Sequence, residues 1–183
     1  MVLSDKRIKE EIANGNIGIE PFIEQHLNPN SVDLTLAPNC KIYPRDIILD
    51  VKKVNETYDF VIGEEGYVLE PGLVYLYRVN EKIGVKGNLC AKVEGKSSLG
   101  RLGLFVHVTA GFIDSGFEGS LVLELVATQP IRIYPNMKIC QLKFEETTEV
   151  ETSYDKVPGS KYMNQQGVVA SKMHKNFEND NKS

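Results

Sequence analysis

Residues 120–126 are Ser120-Leu121-Val122-Leu123-Glu124-Leu125-Val126, the most informative stretch of the chain. Side chains of a β-strand alternate between two faces, so the three leucines share one face and Glu124 shares the other with two valines. Both faces are otherwise apolar, which predicts a strand covered on both sides. A carboxylate there loses hydration, which favours its protonated form and makes Glu124 a candidate proton donor or acceptor. A structural ion pair with a nearby Arg or Lys is the alternative.

Other short β-rich runs lie on both sides of this stretch. Residues 31–36 alternate cleanly, with Val32, Leu34 and Leu36 predicted on the buried side. Turn residues such as Pro71-Gly72 separate the runs. Many short strands at regular spacing predict a mainly β sandwich or barrel. Further strands are predicted at residues 47–51, 67–69, 73–79, 89–93, 104–109, 131–133 and 140–144.

The two ends of the chain differ from this pattern. A short helix is predicted near the amino terminus, because Ser4 or Asp5 can cap it, Ile8 and Ile12 lie four residues apart, and Gly15 can end it. Residues 178–183 are polar throughout, which predicts a disordered tail. The length of 183 residues predicts one domain, over residues 1–177.

Composition limits the function classes. The net charge of −4 and the lack of a long basic run argue against a nucleic-acid partner. Cys40, Cys90 and Cys140 are too dispersed for a disulfide framework or a zinc site. No apolar run reaches the roughly 18 residues that span a membrane, and the first five residues do not resemble a signal peptide. We therefore expect a soluble protein in a reducing, cytoplasmic compartment.

A loop rich in hydroxyls and cations precedes the Glu124 strand. Gly95 is followed by Lys96-Ser97-Ser98-Leu99-Gly100-Arg101, and we expect this run to turn into a short helix. Its backbone N–H groups and positive charge could bind an anion such as phosphate, although such clusters are usually surface turns. Asp114 lies in a predicted strand–turn–strand segment over residues 109–119, where an Asp usually hydrogen-bonds its own backbone.

These motifs, in this order, resemble those of dCTP deaminases, which belong to the trimeric dUTPase-like superfamily. The resemblance covers nearly the whole chain and implies a distorted jelly-roll-like β-barrel with a short N-terminal helix. It also implies a homotrimer with sites shared between neighbouring subunits, and a C-terminal lid over about residues 154–177. The motifs are Gly95-Lys96-Ser97-Ser98-Leu99-Gly100-Arg101-Leu102-Gly103, Ala110-Gly111-Phe112-Ile113-Asp114, Leu121-Val122-Leu123-Glu124, Ile139-Cys140-Gln141-Leu142, Ser160-Lys161-Tyr162-Met163-Asn164-Gln165-Gln166-Gly167, Leu3-Ser4-Asp5 and Pro29-Asn30-Ser31-Val32-Asp33-Leu34.

The resemblance implies hydrolytic deamination of dCTP. Most nucleobase deaminases bind zinc through His-x-Glu and Pro-Cys-x-x-Cys motifs, neither of which is present here, so we expect a zinc-independent reaction. The hypothesis is that Glu124 takes a proton from a water held against C4 of cytosine, then delivers protons to N3 and the leaving ammonia. Ser97 and backbone groups around Val108 and Ala110 are implied to position the water, and Arg101 to support the site electrostatically. His107 is either a satisfied core histidine or a catalytic group.

The resemblance also implies the nucleotide contacts. Lys96 and the two serines after it would bind the triphosphate with Arg101, and Asp114 would accept from the deoxyribose 3′-OH. Mg²⁺ is expected on the phosphates, because it prefers hard oxygen ligands. A helical turn would place Lys161 and Gln165 on one face. The expected nucleotide-binding residues are Lys96, Ser97, Ser98, Leu99, Gly100, Arg101, Asp114, Val122, Leu123, Glu124, Gln141, Tyr154, Lys161 and Gln165.

Two versions of the reaction remain open. Gly111-Phe112 resembles the pair found in dUMP-forming deaminases, whereas residues 106–109 and 164–171 resemble the dUTP-releasing branch. Because Gly111 lacks a side chain, a second water could approach the α-phosphate, which favours dCTP + 2 H₂O → dUMP + diphosphate + NH₃. The alternatives are a deaminase that releases dUTP, a plain dUTP pyrophosphatase and a non-catalytic nucleotide-binding regulator, and dTTP is a possible inhibitor.

Overall fold

The computed structural model describes residues 1–107 and 109–178. The predicted contribution of Val108 and nearly all of the predicted disordered tail lie outside the described residues. The helices are α1 (Asp5–Ala13) and α2 (Ser97–Gly100), with 3₁₀ turns at Glu24–His26, Tyr154–Lys156 and Met173–Phe177. The strands are β1 (Ile17–Glu20), β2 (Leu27–Asn28), β3 (Ser31–Ile42), β4 (Tyr58–Val61), β5 (Tyr67–Leu69), β6 (Tyr75–Val85), β7 (Leu89–Gly95), β8 (Leu104–Val106), β9 (Phe112–Ile113), β10 (Glu118–Ala127), β11 (Ile131–Ile133) and β12 (Lys138–Glu146).

Ten of these strands form one curled antiparallel sheet in the order β8-β10-β6-β3-β12-β7-β9, with β1 on β6, and β2 and β4 on β3. Strands β5 and β11 form a separate pair. The end strands β8 and β9 follow each other in the chain, because β8 ends at Val106 and β9 begins at Phe112. So short a connection brings the two edges of the sheet close together. The predicted mainly β, barrel-like fold is therefore confirmed.

Apolar side chains of the central strands fill the inside of the curled sheet. Val32, Leu34 and Leu36 of β3 are buried, as predicted, and Leu123 and Leu125 of β10 are fully buried. The predicted N-terminal helix is also confirmed. Ser4 caps it by accepting a hydrogen bond from the backbone N–H of Arg7, and Ile8 anchors it in the core. None of the described helices is long and apolar enough to span a bilayer.

The predicted strand at residues 47–51 is wrong. These residues form turns and irregular chain without a partner strand, and the side chain of Ile48 is 96% exposed. β-branched residues favour a strand only where a neighbour and a packed layer are present. Other predicted bounds shift: β3 continues to Ile42, β6 runs from Tyr75 to Val85, and β8 stops at Val106 instead of reaching residue 109.

Only one face of strand β10 is fully buried, so the prediction of two fully covered faces is wrong. The leucine face lies in the core, whereas Val122, Glu124 and Val126 are half-buried. The side chain of Glu124 is 34% exposed. Its face lines a cavity, which brings the carboxylate into contact with solvent.

Candidate active site

A cavity of about 960 Å³ opens beside the half-buried face of β10. Glu124 and Val122 reach it from β10, and Asp114 reaches it from the turn after β9. We call it the carboxylate cavity, after Glu124 and Asp114. The rest of its wall comes from the loops around residues 43–49 and 71–74 and from the C-terminal segment, which contributes Tyr154, Tyr162, Gln165, Val169, Ala170 and Ser171.

A second cavity, of about 870 Å³, lies against the start of α2. It is lined by Lys96, Ser97, Ser98 and Gly100, together with Gln141 of β12. We call it the serine-loop cavity, after the two serines. His107 lines both cavities, so they are neighbours. Within one chain, however, Ser97 and Glu124 lie in different cavities and not in one pocket.

The carboxylate of Glu124 accepts a hydrogen bond from one hydroxyl and lies beside an imidazole ring. The Oγ1 of Thr109 donates a long hydrogen bond of 3.4 Å to Oε2 of Glu124, and Nδ1 of His107 lies 3.6 Å from the same oxygen. The backbone N–H of His107 also donates to the Glu124 carbonyl at 3.0 Å. Among the described residues no Lys or Arg is ion-paired with Glu124. The alternative of a structural ion pair to such a residue is therefore wrong.

His107 has an unsatisfied ring nitrogen beside this carboxylate. Its Nε2 lies 2.8 Å from the Ala110 carbonyl, so Nε2 carries the proton and donates it. Nδ1 is buried without a hydrogen-bond partner in the described chain. The backbone φ of His107 is 54°, in the left-handed region where strained functional residues are enriched. His107 is thus not a fully hydrogen-bonded core histidine.

Asp114 presents a free carboxylate to the carboxylate cavity. Its backbone carbonyl accepts from the Phe117 N–H at 3.2 Å, which closes the turn. Its side chain is exposed and makes no hydrogen bond or ion pair within the part of the chain that the structure describes. The prediction that the Asp114 carboxylate bonds its own backbone is therefore wrong, and the group is available to a ligand hydroxyl.

The C-terminal segment packs over the carboxylate cavity. The ring of Tyr154 lies against Phe117, with 6.1 Å between centroids, and its hydroxyl accepts from the Tyr162 N–H at 3.3 Å. Gln165 is joined to β10 twice: its Nε2 donates to the Ser120 carbonyl at 2.6 Å, and the Ser120 N–H donates back to the Gln165 carbonyl at 3.0 Å. These contacts make the segment a wall of the cavity.

Four expected nucleotide-binding residues are not brought to either cavity. Leu123 is fully buried in the core, on the face of β10 opposite Glu124, and Leu99 packs partly against the same core. Arg101 is exposed at the end of α2 and lines neither cavity. Lys161 lines neither cavity, and the segment around it is not helical, so the helical turn expected for Lys161 and Gln165 is wrong.

Gly111 and Phe112 stand between the two cavities. Gly111 lines the serine-loop cavity, and Phe112, which is 60% exposed, lines the carboxylate cavity. A Cβ at position 111 would lie 2.9 Å from the Val93 carbonyl, and the Val93 N–H donates to the Gly111 carbonyl at 2.8 Å. Close packing on β7 therefore requires a glycine here, a reason that the sequence pattern did not indicate.

One residue beside Glu124 and several residues of the carboxylate cavity were not predicted from the sequence. Thr109, which contacts Glu124, lies in an irregular turn where no periodicity indicates side-chain direction. Tyr43 and Arg45 reach the cavity from a loop that was predicted to lead into a strand. Tyr162 lies in a motif that carried the resemblance, but only its neighbours Lys161 and Gln165 were assigned.

The side chains that could bind a metal ion are dispersed over the described chain. No cluster of three or more His, Cys, Asp or Glu residues that could hold a metal ion lies within residues 1–107 and 109–178. Cys40, Cys90 and Cys140 are buried and unpaired, and burial raises the pKa of the Cys40 thiol to about 12. A thiol that keeps its proton is a poor metal ligand.

Comparisons with known proteins identify the family of this chain. Residues 2–147 match the model of the dCTP deaminase-like family, so the chain belongs to that family. It is 47% identical over 178 residues to a dCTP deaminase, dUMP-forming, of Clostridium botulinum (strain Alaska E43 / Type E3), covering 97% of this chain and 99% of the relative. A protein of the same name from Hathewaya histolytica is 46% identical, with 97% of this chain and all of the relative covered.

A solved structure shows the same fold. The crystal structure of the 2′-deoxycytidine 5′-triphosphate deaminase from Agrobacterium tumefaciens superimposes with a TM-score of 0.62 and 25% identity. The likeness covers 79% of this chain and spans 47% of the length of the solved chain.

Proposed function

We propose that this chain is a hydrolase that converts dCTP to dUMP according to dCTP + 2 H₂O → dUMP + diphosphate + NH₃. One observation carries the proposal: Glu124, the carboxylate at the centre of the half-buried face of β10, lines a nucleoside-sized cavity beside a hydroxyl and an unsatisfied imidazole nitrogen. Family membership and the names of the relatives support the same reaction. The C4–N bond of cytosine is replaced by a C4–O bond, and the α–β phosphoanhydride is cleaved by the second water.

Glu124 is the proton carrier. It takes a proton from the water that attacks C4, passes it to N3, and returns the second proton to the leaving ammonia. The Thr109 hydroxyl donates to Oε2 of Glu124 and so orients the carboxylate, while Nδ1 of His107 lies beside the same oxygen without a hydrogen bond. The chain thus performs the deamination with its own acid–base group.

Other residues of the carboxylate cavity recognise the nucleoside. The free carboxylate of Asp114 accepts from the deoxyribose 3′-OH, since it has no partner of its own in the described chain. The packed rings of Phe117 and Tyr154 line the same cavity and leave an apolar surface beside the sugar, which disfavours a 2′-OH. The C-terminal segment, residues 154–177, acts as the lid of the single domain.

The serine-loop cavity takes the triphosphate. Lys96, Ser97 and Ser98 offer an ammonium, two hydroxyls and backbone N–H groups to the phosphates. Because Ser97 and Glu124 line different cavities of one chain, we infer a homotrimer in which neighbouring subunits combine the two. The unpaired edges of β8 and β9, with Phe105 exposed beside them, agree with a surface that another subunit covers.

Magnesium would be held by the nucleotide and not by a protein site. The described residues contain no metal-ligand cluster, whereas a triphosphate supplies the hard oxygens that Mg²⁺ prefers. The ion would neutralise phosphate charge as the nucleotide enters. dTTP carries the same triphosphate and deoxyribose, so it would compete for the same contacts and inhibit. The three unpaired cysteines agree with a reducing, cytoplasmic setting.

A time course tests the reaction. Purified full-length chain is incubated with dCTP and Mg²⁺, and dUTP, dUMP, diphosphate and ammonia are separated and measured. We expect dUMP, diphosphate and ammonia to rise together without free dUTP. Stoichiometric accumulation of dUTP would show a deaminase that stops after the first step, and no release of ammonia would overturn the proposal.

A further inference from the structure

Strand β3 buries a row of polar side chains on the face opposite its core leucines. Ser31, Asp33 and Thr35 are only 8%, 4% and 8% exposed. Buried polar groups are costly unless each has a partner, and all three have one. The partners differ along the strand: Asp33 bonds a residue that lines the serine-loop cavity, whereas Thr35 does not.

Asp33 is bound by two lysines. The Nζ of Lys96 lies 2.6 Å from its Oδ1, and the Nζ of Lys138 lies 3.1 Å from its Oδ2. Burial alone would raise the pKa of Asp33, but the hydrogen bonds from Lys96 and Lys138 outweigh that effect and lower it. The carboxylate therefore stays charged at neutral pH and keeps both ammonium groups in place.

Lys96 links this buried carboxylate to the serine-loop cavity. It directly precedes α2 and lines the cavity beside Ser97, with its side chain 27% exposed. An ammonium group has three N–H donors, so one directed at Asp33 leaves two for a ligand. A lysine that is already held also loses less side-chain freedom when a ligand binds.

Ser31, the next polar residue on the same face of β3, also bonds a residue of the serine-loop cavity. The Oγ of Ser31 donates to Oε1 of Gln141 at 3.0 Å, and Gln141 lines the serine-loop cavity too. Thr35, further along the same face, instead bonds Glu81, with its N–H and hydroxyl both donating to that carboxylate, and its side chain makes no hydrogen bond to a described residue of the cavity. Two successive polar residues of β3 thus support the wall of the cavity, and the third does not.

We propose that Asp33 is a positioning residue of the serine-loop cavity: it holds the Lys96 ammonium at the cavity wall, directed towards a polyphosphate chain. The inference rests on the proposed function for the identity of the ligand, a nucleoside triphosphate. The competing explanation is that Asp33 only ties β3 to β12 through Lys138 and contributes stability.

The test measures binding of inorganic tripolyphosphate to the full-length chain by titration calorimetry. We expect D33N and K96M each to weaken binding about tenfold, the size of one lost charge-assisted hydrogen bond. The double variant D33N/K96M should bind no more weakly than K96M alone, because residues that act through one group are not additive. Additive losses in the double variant would overturn the proposal.

Two matched variants separate positioning from stability. T35V removes a hydroxyl from the same buried face, and K138M removes the other amine on Asp33. Both should bind tripolyphosphate like the wild type, whatever their melting temperatures. If K138M weakens binding as much as K96M does, Asp33 does not act through Lys96 and the proposal fails.

A second measurement covers the case in which D33N does not fold. In ¹⁵N-lysine-labelled protein, the Nζ resonances of Lys96 and Lys138 are assigned as the signals that are missing from K96M and from K138M. When tripolyphosphate is added to the wild type, the Lys96 resonance should shift and the Lys138 resonance should not. An unshifted Lys96 resonance would overturn the proposal. The proposed function can fail separately. If the chain binds tripolyphosphate in a way that depends on Asp33 but releases no ammonia from dCTP, the proposed function is wrong and this inference stands.

Discussion

Glu118 and Glu124 lie on the same face of strand β10 and are exposed to nearly the same extent, 36% and 34%, but their surroundings differ. Glu118 is ion-paired with Lys82, and the hydrogen bond from that lysine lowers the pKa of Glu118. Glu124 has no such partner in the described chain and faces the carboxylate cavity. The strand therefore carries one structural carboxylate and one that is available for chemistry.

Replacing Glu124 with Gln should abolish turnover while nucleotide binding is retained. Gln keeps the shape and the hydrogen bonds of the side chain but cannot carry a proton, a role worth about 10²–10⁴ in rate. Ammonia release and dCTP affinity are measured on E124Q, with E118Q as the matched control on the same strand face. Ammonia release by E124Q at the wild-type rate would refute the role of Glu124.

Deamination should survive removal of zinc. The proposed reaction uses Glu124 as the proton carrier, and the described residues contain no cluster of three or more metal-ligating side chains. A zinc-selective chelator, followed by replenished Mg²⁺, should leave the rate of ammonia release unchanged. Stoichiometric zinc in active protein, with activity lost as it is removed, is the contrary outcome.

Truncation after Ser160 should leave a folded chain with poor turnover. It removes Tyr162 and Gln165 from the wall of the carboxylate cavity, whereas the buried core lies entirely before that point. A loosened cavity misplaces the substrate, and small displacements can cost about 10²-fold in rate. Circular dichroism checks the fold, and kcat/KM for dCTP checks the effect. Truncation after Phe177 is the control, and equal activity of the two truncated chains would show that residues 161–177 are not a lid.

Substituting Gly111 with Ala should destabilise the protein. The added Cβ would meet the backbone carbonyl of Val93 at 2.9 Å, and relief of such overpacking costs about 1–3 kcal/mol. F112Q, at the exposed neighbouring position, should stay within about 0.5 kcal/mol of the wild type. Urea unfolding measures both. If G111A is as stable as the wild type, β9 is not packed on β7 as described.

Acid should reduce the stability of the wild type more steeply than that of D33N. The folded-state pKa of Asp33 is lowered, because the Lys96 and Lys138 hydrogen bonds outweigh the effect of burial. Its stabilising contribution is therefore present above the unfolded pKa, near 4, and is lost as the pH falls through the lower folded value. Urea unfolding at pH values from about 6 to about 3 measures both slopes, and parallel slopes would contradict the expected charge state.

The strand pattern could be predicted where side chains alternate against the core. Residues 67–69 and 131–133 were predicted with their observed bounds, and the leucine face of β10 is buried as expected. The pattern failed at residues 47–51, where an apolar run has no neighbouring strand. It also missed the short strands β1, β2 and β4, because they form by pairing with β6 or β3 and not through local composition. Strand β9 does lie in the strand–turn–strand segment predicted over residues 109–119.

Most residues of the candidate site could be predicted from the sequence, but their distribution between two cavities could not. Glu124, Asp114 and Gln165 reach one cavity and Ser97 reaches another, and no spacing along the chain could indicate that separation. The contact between Gly111 and the Val93 carbonyl was equally invisible, since it depends on how closely β9 approaches β7. The alternation of apolar and polar residues predicts which face of a strand is buried, but it does not predict how closely two backbones approach each other in the fold.

The exposed ring of Phe112 at the rim of the carboxylate cavity has an optical consequence. The chain contains eight tyrosines and no tryptophan, so it lacks any native indole emission. A Phe112→Trp variant would carry a single indole fluorophore at the mouth of the cavity, more than half in water. Its emission wavelength would shift as a nucleotide displaces that water, which would make entry and release visible in stopped-flow records without a labelled substrate.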